Sequence, residues 1–80
     1  MSRPQVVVYS REGCHLCEQA ELVVRRVAAG RADVVVLDID ADAALPDRFT
    51  VRVPVVVVDG REVAELEVSP WQIEAALDRR

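Results

Sequence analysis

Lysine is missing from this chain altogether; all ten basic residues are arginine. No lysine amine is available as a catalytic base or Schiff-base former. Aromatic side chains are nearly as scarce, with one Trp, one Tyr and one Phe in 80 residues, so valine has to build most of the core. A basic excess is lacking too. The formal net charge is −4, which argues against nucleic acid as a partner, because a phosphate backbone demands a cationic footprint. Nor is there a long apolar run: Ser2-Arg3-Pro4 leads into a valine stretch too short for a signal core or a membrane span. Internal repeats, linkers and low-complexity tracts are absent as well. The expectation is a cytoplasmic protein that engages neither nucleic acid nor membrane, and acts as a monomer.

What is present suits one domain spanning residues 1–80 with one modest core. The chain is 51% hydrophobic and 30% charged, a globular rather than a disordered balance. The charge is uneven. Residues 1–31 carry five arginines and three acids, a balance of +2, whereas residues 32–80 carry five arginines and eleven acids, a balance of −6.

Gln5 to Tyr9 is a short valine-rich run that reads as a buried strand. Ser10 to Gly13 reads as a loop. From Cys14 to Ala29 the residues are helix formers, with Cys17, Ala20, Val24, Val27 and Ala28 at helical spacing and Gly30 as a stop signal. Asp33 to Ile39 reads as a second buried strand, completing a βαβ unit with parallel strands and a right-handed crossover. Asp40 to Phe49 has room for a short helix. Pro54 to Val58 reads as a third buried strand, and Asp59-Gly60 as a tight hairpin turn. Residues 61–68 alternate, with Ala64, Leu66 and Val68 on one face, which suits an edge strand guarded by glutamates. Ser69-Pro70-Trp71-Gln72 opens the last helix through an N-cap, a first-turn proline and a capping box. Trp71, Ile73, Ala76 and Leu77 are expected to pack it on the sheet. The order β-α-β-(α)-β-β-α predicts an α/β fold, a small four-stranded mixed sheet flanked by helices.

Cys14 and Cys17 lie where the first strand hands over to the first helix. Two cysteines in a small cytosolic chain point to redox or metal chemistry before a structural staple. Closing so short a loop constrains the unfolded chain little. At a helix N-terminus the backbone N–H groups lack partners and carry partial positive charge. A thiolate at Cys14 is favoured there, which lowers its pKa and makes it the nucleophile. Cys17, three residues on and on the apolar stripe, is the sheltered thiol that attacks a mixed disulfide formed at Cys14. Protonated His15 and Arg11 favour the thiolate; Glu12 and Glu18 oppose it. Taken alone, Cys17 reads as a small core residue. A closed zinc site needs about four ligands, and two cysteines with one histidine do not supply them, so no metal site is expected within one chain. A metal or cluster would need a second subunit or outside thiols, as in a dimeric carrier that bridges two Cys14 residues.

Val53-Pro54 sits where a loop enters the third strand. About one X–Pro bond in twenty is cis, so the residues alone predict trans. With these motifs in order, however, the chain resembles the glutaredoxin-like branch of the thioredoxin superfamily. Val6-Val7-Val8-Tyr9-Ser10 followed by Gly13-Cys14-His15-Leu16-Cys17-Glu18 is similar to the short members with a Gly-Cys-His-Leu-Cys motif. Arg52-Val53-Pro54-Val55 followed by Asp59-Gly60 matches the second signature. The resemblance implies a thioredoxin-like fold, a cis Val53-Pro54 bond beside the cysteines, and a Val53 backbone that pairs with a bound thiol peptide like an added strand. It implies that Cys14 attacks and Cys17 resolves, that His15 and Leu16 flank the bound thiol, and that Arg11 stands where a basic residue meets a glutathione carboxylate. The chain departs from typical glutaredoxins between the cysteines, where His15-Leu16 replaces Pro-Tyr. It departs again at Arg52, which replaces a threonine, and at Glu65-Leu66-Glu67-Val68, which lacks a Gly-Gly pair.

The function these readings imply is a thiol–disulfide oxidoreductase. It would reduce disulfides or mixed disulfides of proteins or small thiols, recharged by an unidentified reductase. No bound cofactor is expected; glutathione or another low-molecular-weight thiol is the candidate co-substrate. The alternative is a thioredoxin-fold binding or adaptor module with little turnover.

Overall fold

The computed structural model describes residues 3–41 and 52–79. Its elements run β1 (Gln5–Ser10), α1 (His15–Ala28), β2 (Asp33–Asp38), β3 (Val55–Val58), β4 (Arg61–Glu65) and α2 (Pro70–Asp78). The four strands form one mixed sheet in the order β2-β1-β3-β4. β1 pairs parallel with β2 and antiparallel with β3, and β4 returns antiparallel on β3. The expected βαβ unit is therefore present. The expectation of a short helix from Asp40 to Phe49 lies almost wholly outside the described residues; Asp40 and Ala41 form a turn.

Both helices pack against each other and against one face of the sheet. Val6 and Val8 of β1, Val56 and Val58 of β3 and Ala64 of β4 meet Val24 and Ala28 of α1 and Ile73 and Leu77 of α2. This is the period-2 pattern of strands facing the period-3.6 pattern of helices. α1 ends as the sequence predicts: Gly30 adopts φ +74°, and the N–H groups of Arg31 and Ala32 donate to the Ala28 carbonyl at 2.8 and 2.9 Å. Asp59 and Gly60 both take positive φ, as a tight hairpin of this kind requires. Asp59 also ties the hairpin to β1, its carboxylate accepting from the Gln5 N–H at 3.0 Å.

Four expectations need correction. β2 is an edge strand and only half-buried at Val34, Val35 and Val36, because the sheet order leaves it with one neighbour. β4 stops at Glu65 instead of running to Val68. Val63 is an extra residue in its ladder, since Ala64 pairs with Val56 while Glu62 pairs with Val57; such a bulge bends the strand. Leu66 then takes φ +61° and stands 43% exposed rather than sharing the face of Ala64. Trp71 is 66% exposed. Ile73 and Leu77, one turn apart, take the inward stripe of α2 and leave Trp71 off it. The capping box does engage, with Gln72 Oε1 accepting from the Ser69 N–H at 2.9 Å. Finally, the Val53-Pro54 bond is cis, as the resemblance implied and the residues alone did not.

Candidate functional site: a cysteine pair at a helix start

The register of the sheet gathers the site at one end. Tyr9 near the end of β1 pairs with Val55 at the start of β3, and Val55 pairs with Glu65 at the end of β4. The parallel pairing of β1 and β2 brings Asp38 beside Ser10. The turn that carries Cys14, the Val53-Pro54 peptide, the residues after β4 and the residues after β2 therefore all emerge on the same side.

Cys14 is the N-cap of α1, one residue ahead of the helix predicted to include it. Its backbone is extended, its N–H donates to the Arg11 carbonyl at 3.2 Å, and its own carbonyl accepts the first helical bond, from Glu18, at 3.1 Å. The Cys14 side chain takes the role that Ser or Asp fills at most helix starts: Sγ accepts from the Cys17 N–H at 3.1 Å. Cys14 and Cys17 are joined as a disulfide. Cys14 is half-buried and Cys17 is buried, the asymmetry the helical stripe predicts. His15 and Leu16 are both exposed. The His15 ring is engaged one turn along the helix, with Nε2 3.1 Å from Gln19 Nε2.

Arg11 is turned to account within the fold. Its Nε and one terminal nitrogen donate to the two carboxylate oxygens of Asp40 at 2.9 and 3.0 Å. The hydrogen bond with Arg11 holds the Asp40 carboxyl below its ordinary range, and the same bond raises the guanidinium. Arg52, just ahead of Val53-Pro54, is occupied likewise: its two terminal nitrogens donate to Glu65 and Glu62 at 2.8 and 2.7 Å. Pro54 is buried, and its carbonyl accepts from the Leu66 N–H at 2.8 Å. Among the described residues the Val53 backbone has no hydrogen-bond partner. A groove of about 340 Å³ runs between α1 and the turn after β4, lined by Leu16, Gln19, Leu66, Glu67, Val68 and Ser69.

Sequence reasoning singled out the cysteines, Leu16 and the proline loop, which the structure sets at the same end of the sheet. It missed Asp40, Gln19, the Glu62–Arg52–Glu65 cluster and the wall of the groove after β4. The Asp40 contact had a signal: aligning the predicted parallel strands in register sets the residues after β2 beside those after β1. No group of three His, Cys, Asp or Glu side chains among the described residues is placed to hold a metal ion. No described helix is long and apolar enough to cross a membrane.

A four-stranded mixed sheet with a helix opening on a cysteine pair defines the thioredoxin fold, and comparison with solved structures agrees. Chloroplastic thioredoxin z superposes with a TM-score of 0.77 at 18% identity, covering 98% of this chain and 78% of that one. Thioredoxin-2 of the malaria parasite gives 0.75 at 16% identity, with 98% and 84% covered. A structural-genomics target from X. campestris is much nearer in sequence, 36% identical with a TM-score of 0.72 over 94% of this chain and 97% of that one. Uncharacterized proteins of Mycobacterium tuberculosis and Mycobacterium bovis are 35% identical over 85 aligned positions, 99% of this chain and 88% of theirs. Residues 5–78 match the family described as Glutaredoxin-like domain (DUF836), and the chain belongs to that family. Family, fold and the Cys14–Cys17 pair together support a redox-type function.

Proposed function

We propose that this protein is a thiol–disulfide oxidoreductase that reduces disulfides or mixed disulfides through Cys14 and Cys17. The observation that carries this reading is the seat of Cys14 Sγ at the helix cap, where it accepts from the Cys17 N–H. A donor aimed at sulfur, together with the positive end of the helix, favours the thiolate over the thiol.

In the first step the Cys14 thiolate attacks one sulfur of the substrate disulfide. A mixed disulfide forms, and the other substrate sulfur leaves as a thiolate that takes up a proton. In the second step Cys17, losing its proton, attacks Cys14 Sγ. The second substrate thiol departs and the Cys14–Cys17 disulfide remains. Two electrons pass to the substrate and two cysteine thiols are oxidised. A dithiol reductant or a reductase returns the electrons for the next cycle. Burial of Cys17 keeps the resolving thiol from outside reagents and within reach of Cys14. The Val53 backbone, unpaired among the described residues, supports pairing with a substrate strand, and Leu16 forms part of the adjoining surface. The setting proposed is the cytoplasm.

The test is steady-state reduction of a small disulfide, with glutathione and its reductase in one arm and thioredoxin reductase in the other. Turnover in either arm is expected, and Cys14→Ser should abolish it. Cys17→Ser should retain the first step and accumulate a mixed disulfide, visible as a mass adduct on Cys14. Absence of turnover in both arms, with Cys14 slow to alkylate at neutral pH, would refute the enzyme reading and leave a binding module.

A further inference from the structure

The cysteine pair sits in an acidic surround. Arg11 faces Asp40 directly and Asp38 nearby. Arg52 is shared between Glu62 and Glu65. Among the described residues, the two guanidinium groups at this end of the sheet are thus matched or outnumbered by carboxylates. Glu12 and Glu18, within four residues of Cys14, and Glu67, in the wall of the groove, are exposed and have no ion-pair partner among the described residues. The described cations without a carboxylate partner, Arg26, Arg61 and Arg79, belong to the far part of α1, the hairpin and the end of α2. The groove is lined more by polar than by apolar surface, but it carries two exposed leucines, one from α1 and one from the turn after β4. Leu16, between the two cysteines, is 37% exposed, and Leu66 is 43% exposed. Leu66 is held there by its N–H bond to Pro54 in a left-handed conformation that leucine adopts only at a cost.

From this arrangement we infer that the site selects protein disulfides whose cysteine is flanked by an apolar side chain and a basic residue, and that it disfavours anionic small disulfides such as oxidised glutathione. The inference rests on the oxidoreductase reading and names its substrate class. The apolar neighbour lies in the groove between Leu16 and Leu66. The basic neighbour meets Glu67 and the carboxylates around Cys14. A surface lined by one sign of charge raises the encounter rate of the opposite sign and lowers that of its own. The chemical step is the one already written: the substrate disulfide is reduced to two thiols as Cys14 and Cys17 are oxidised.

The experiment mixes the pre-reduced protein with symmetric disulfides in a single turnover and follows the released thiol by chromatography. The probes are the disulfide-linked dimers of Leu-Cys-Arg, Leu-Cys-Glu and Gly-Cys-Arg, blocked at both ends, and oxidised glutathione. At low salt the Leu-Cys-Arg dimer should react about tenfold faster than the Leu-Cys-Glu dimer and oxidised glutathione, the lower end of what electrostatic steering supplies. The gap should narrow in 0.5 M salt, where charges are screened. The Gly-Cys-Arg dimer should fall behind the Leu-Cys-Arg dimer, and Leu66→Ser should close that gap. Asp40→Asn removes the carboxylate charge that Arg11 meets, and Glu67→Gln removes a repelling charge. Each should speed the reaction with oxidised glutathione, a gain that mere damage to the fold does not produce. Equal rates for cationic and anionic probes, or a ratio that neither salt nor these two variants moves, would overturn the charge selection while leaving the oxidoreductase intact. Failure of every probe to oxidise the cysteine pair would overturn both.

Discussion

Asp40 shows how a single carboxylate shapes the residue scale of this site. The Arg11 hydrogen bond lowers its carboxyl from the ordinary value of 3.8, desolvation pulls the other way, and the charge of Arg11 adds to the lowering. A folded-state value below the unfolded one means that the pair contributes fully above the unfolded value and is lost as pH falls through the lower, folded one. The pair is therefore constant across the neutral range and does not act as a switch there. Carboxyl NMR of the Asp40 side chain should give a titration midpoint below 3.8; a midpoint at or above it would show that the Arg11 contact does not persist in solution. The same residue explains a limit of sequence reading. The cysteines announce themselves because their context is local, a strand end and a helix start within a few positions. The engagement of Arg11 depends on a residue that the crossover brings round from 29 positions away.

At the scale of elements, the valine runs, the helical stripe of α1, the stop at Gly30 and the Asp59-Gly60 turn were all legible, since each rests on short-range chemistry. β4 was not. Its period-2 pattern continues through Leu66 and Val68, but the bulge at Val63 shifts the register and the bond from Leu66 N–H to Pro54 turns the chain away. Tertiary contacts overrode the pattern there, and the place where they did so is the wall of the groove. Leu66 bears the cost of its positive φ without recovering much burial. Leu66→Gly should therefore leave stability unchanged or raise it by about 1 kcal/mol, as measured by urea unfolding. A loss of more than about 1 kcal/mol would mean that the Leu66 side chain packs where it stands exposed. Strand order was equally beyond reach, because a valine run reads the same at an edge as in the centre; hence β2 was expected to be buried.

Across the whole molecule, stability rests on a small set of aliphatic side chains from both halves of the chain. Val56 at the middle of β3 is fully buried among Val8, Val24 and Ile73 of the same core. Val56→Ala should cost about 1–3 kcal/mol, a large share of the margin of a domain this size. Trp71, the largest side chain in the protein, should be nearly silent: Trp71→Ala should change unfolding free energy by no more than about 0.5 kcal/mol. Thermal and urea unfolding of the two variants side by side would check the contrast, and a reversal would place Trp71 back in the core. The net charge of −4 was legible in the sequence. Its concentration of carboxylates around the cysteines emerges only once the strands are aligned.

The central position of β1 carries a consequence for how the chain is made. Its two neighbours are made at different times: β2 follows directly after α1, whereas β3, which pairs Val58 with Val6, comes later. Contacts so distant along the chain are slow to close. Both cysteines therefore emerge from the ribosome long before the proline loop and the last helix that complete their surroundings. A nascent chain paused after β2 thus presents the thiols beside an edge of β1 that β3 has yet to fill.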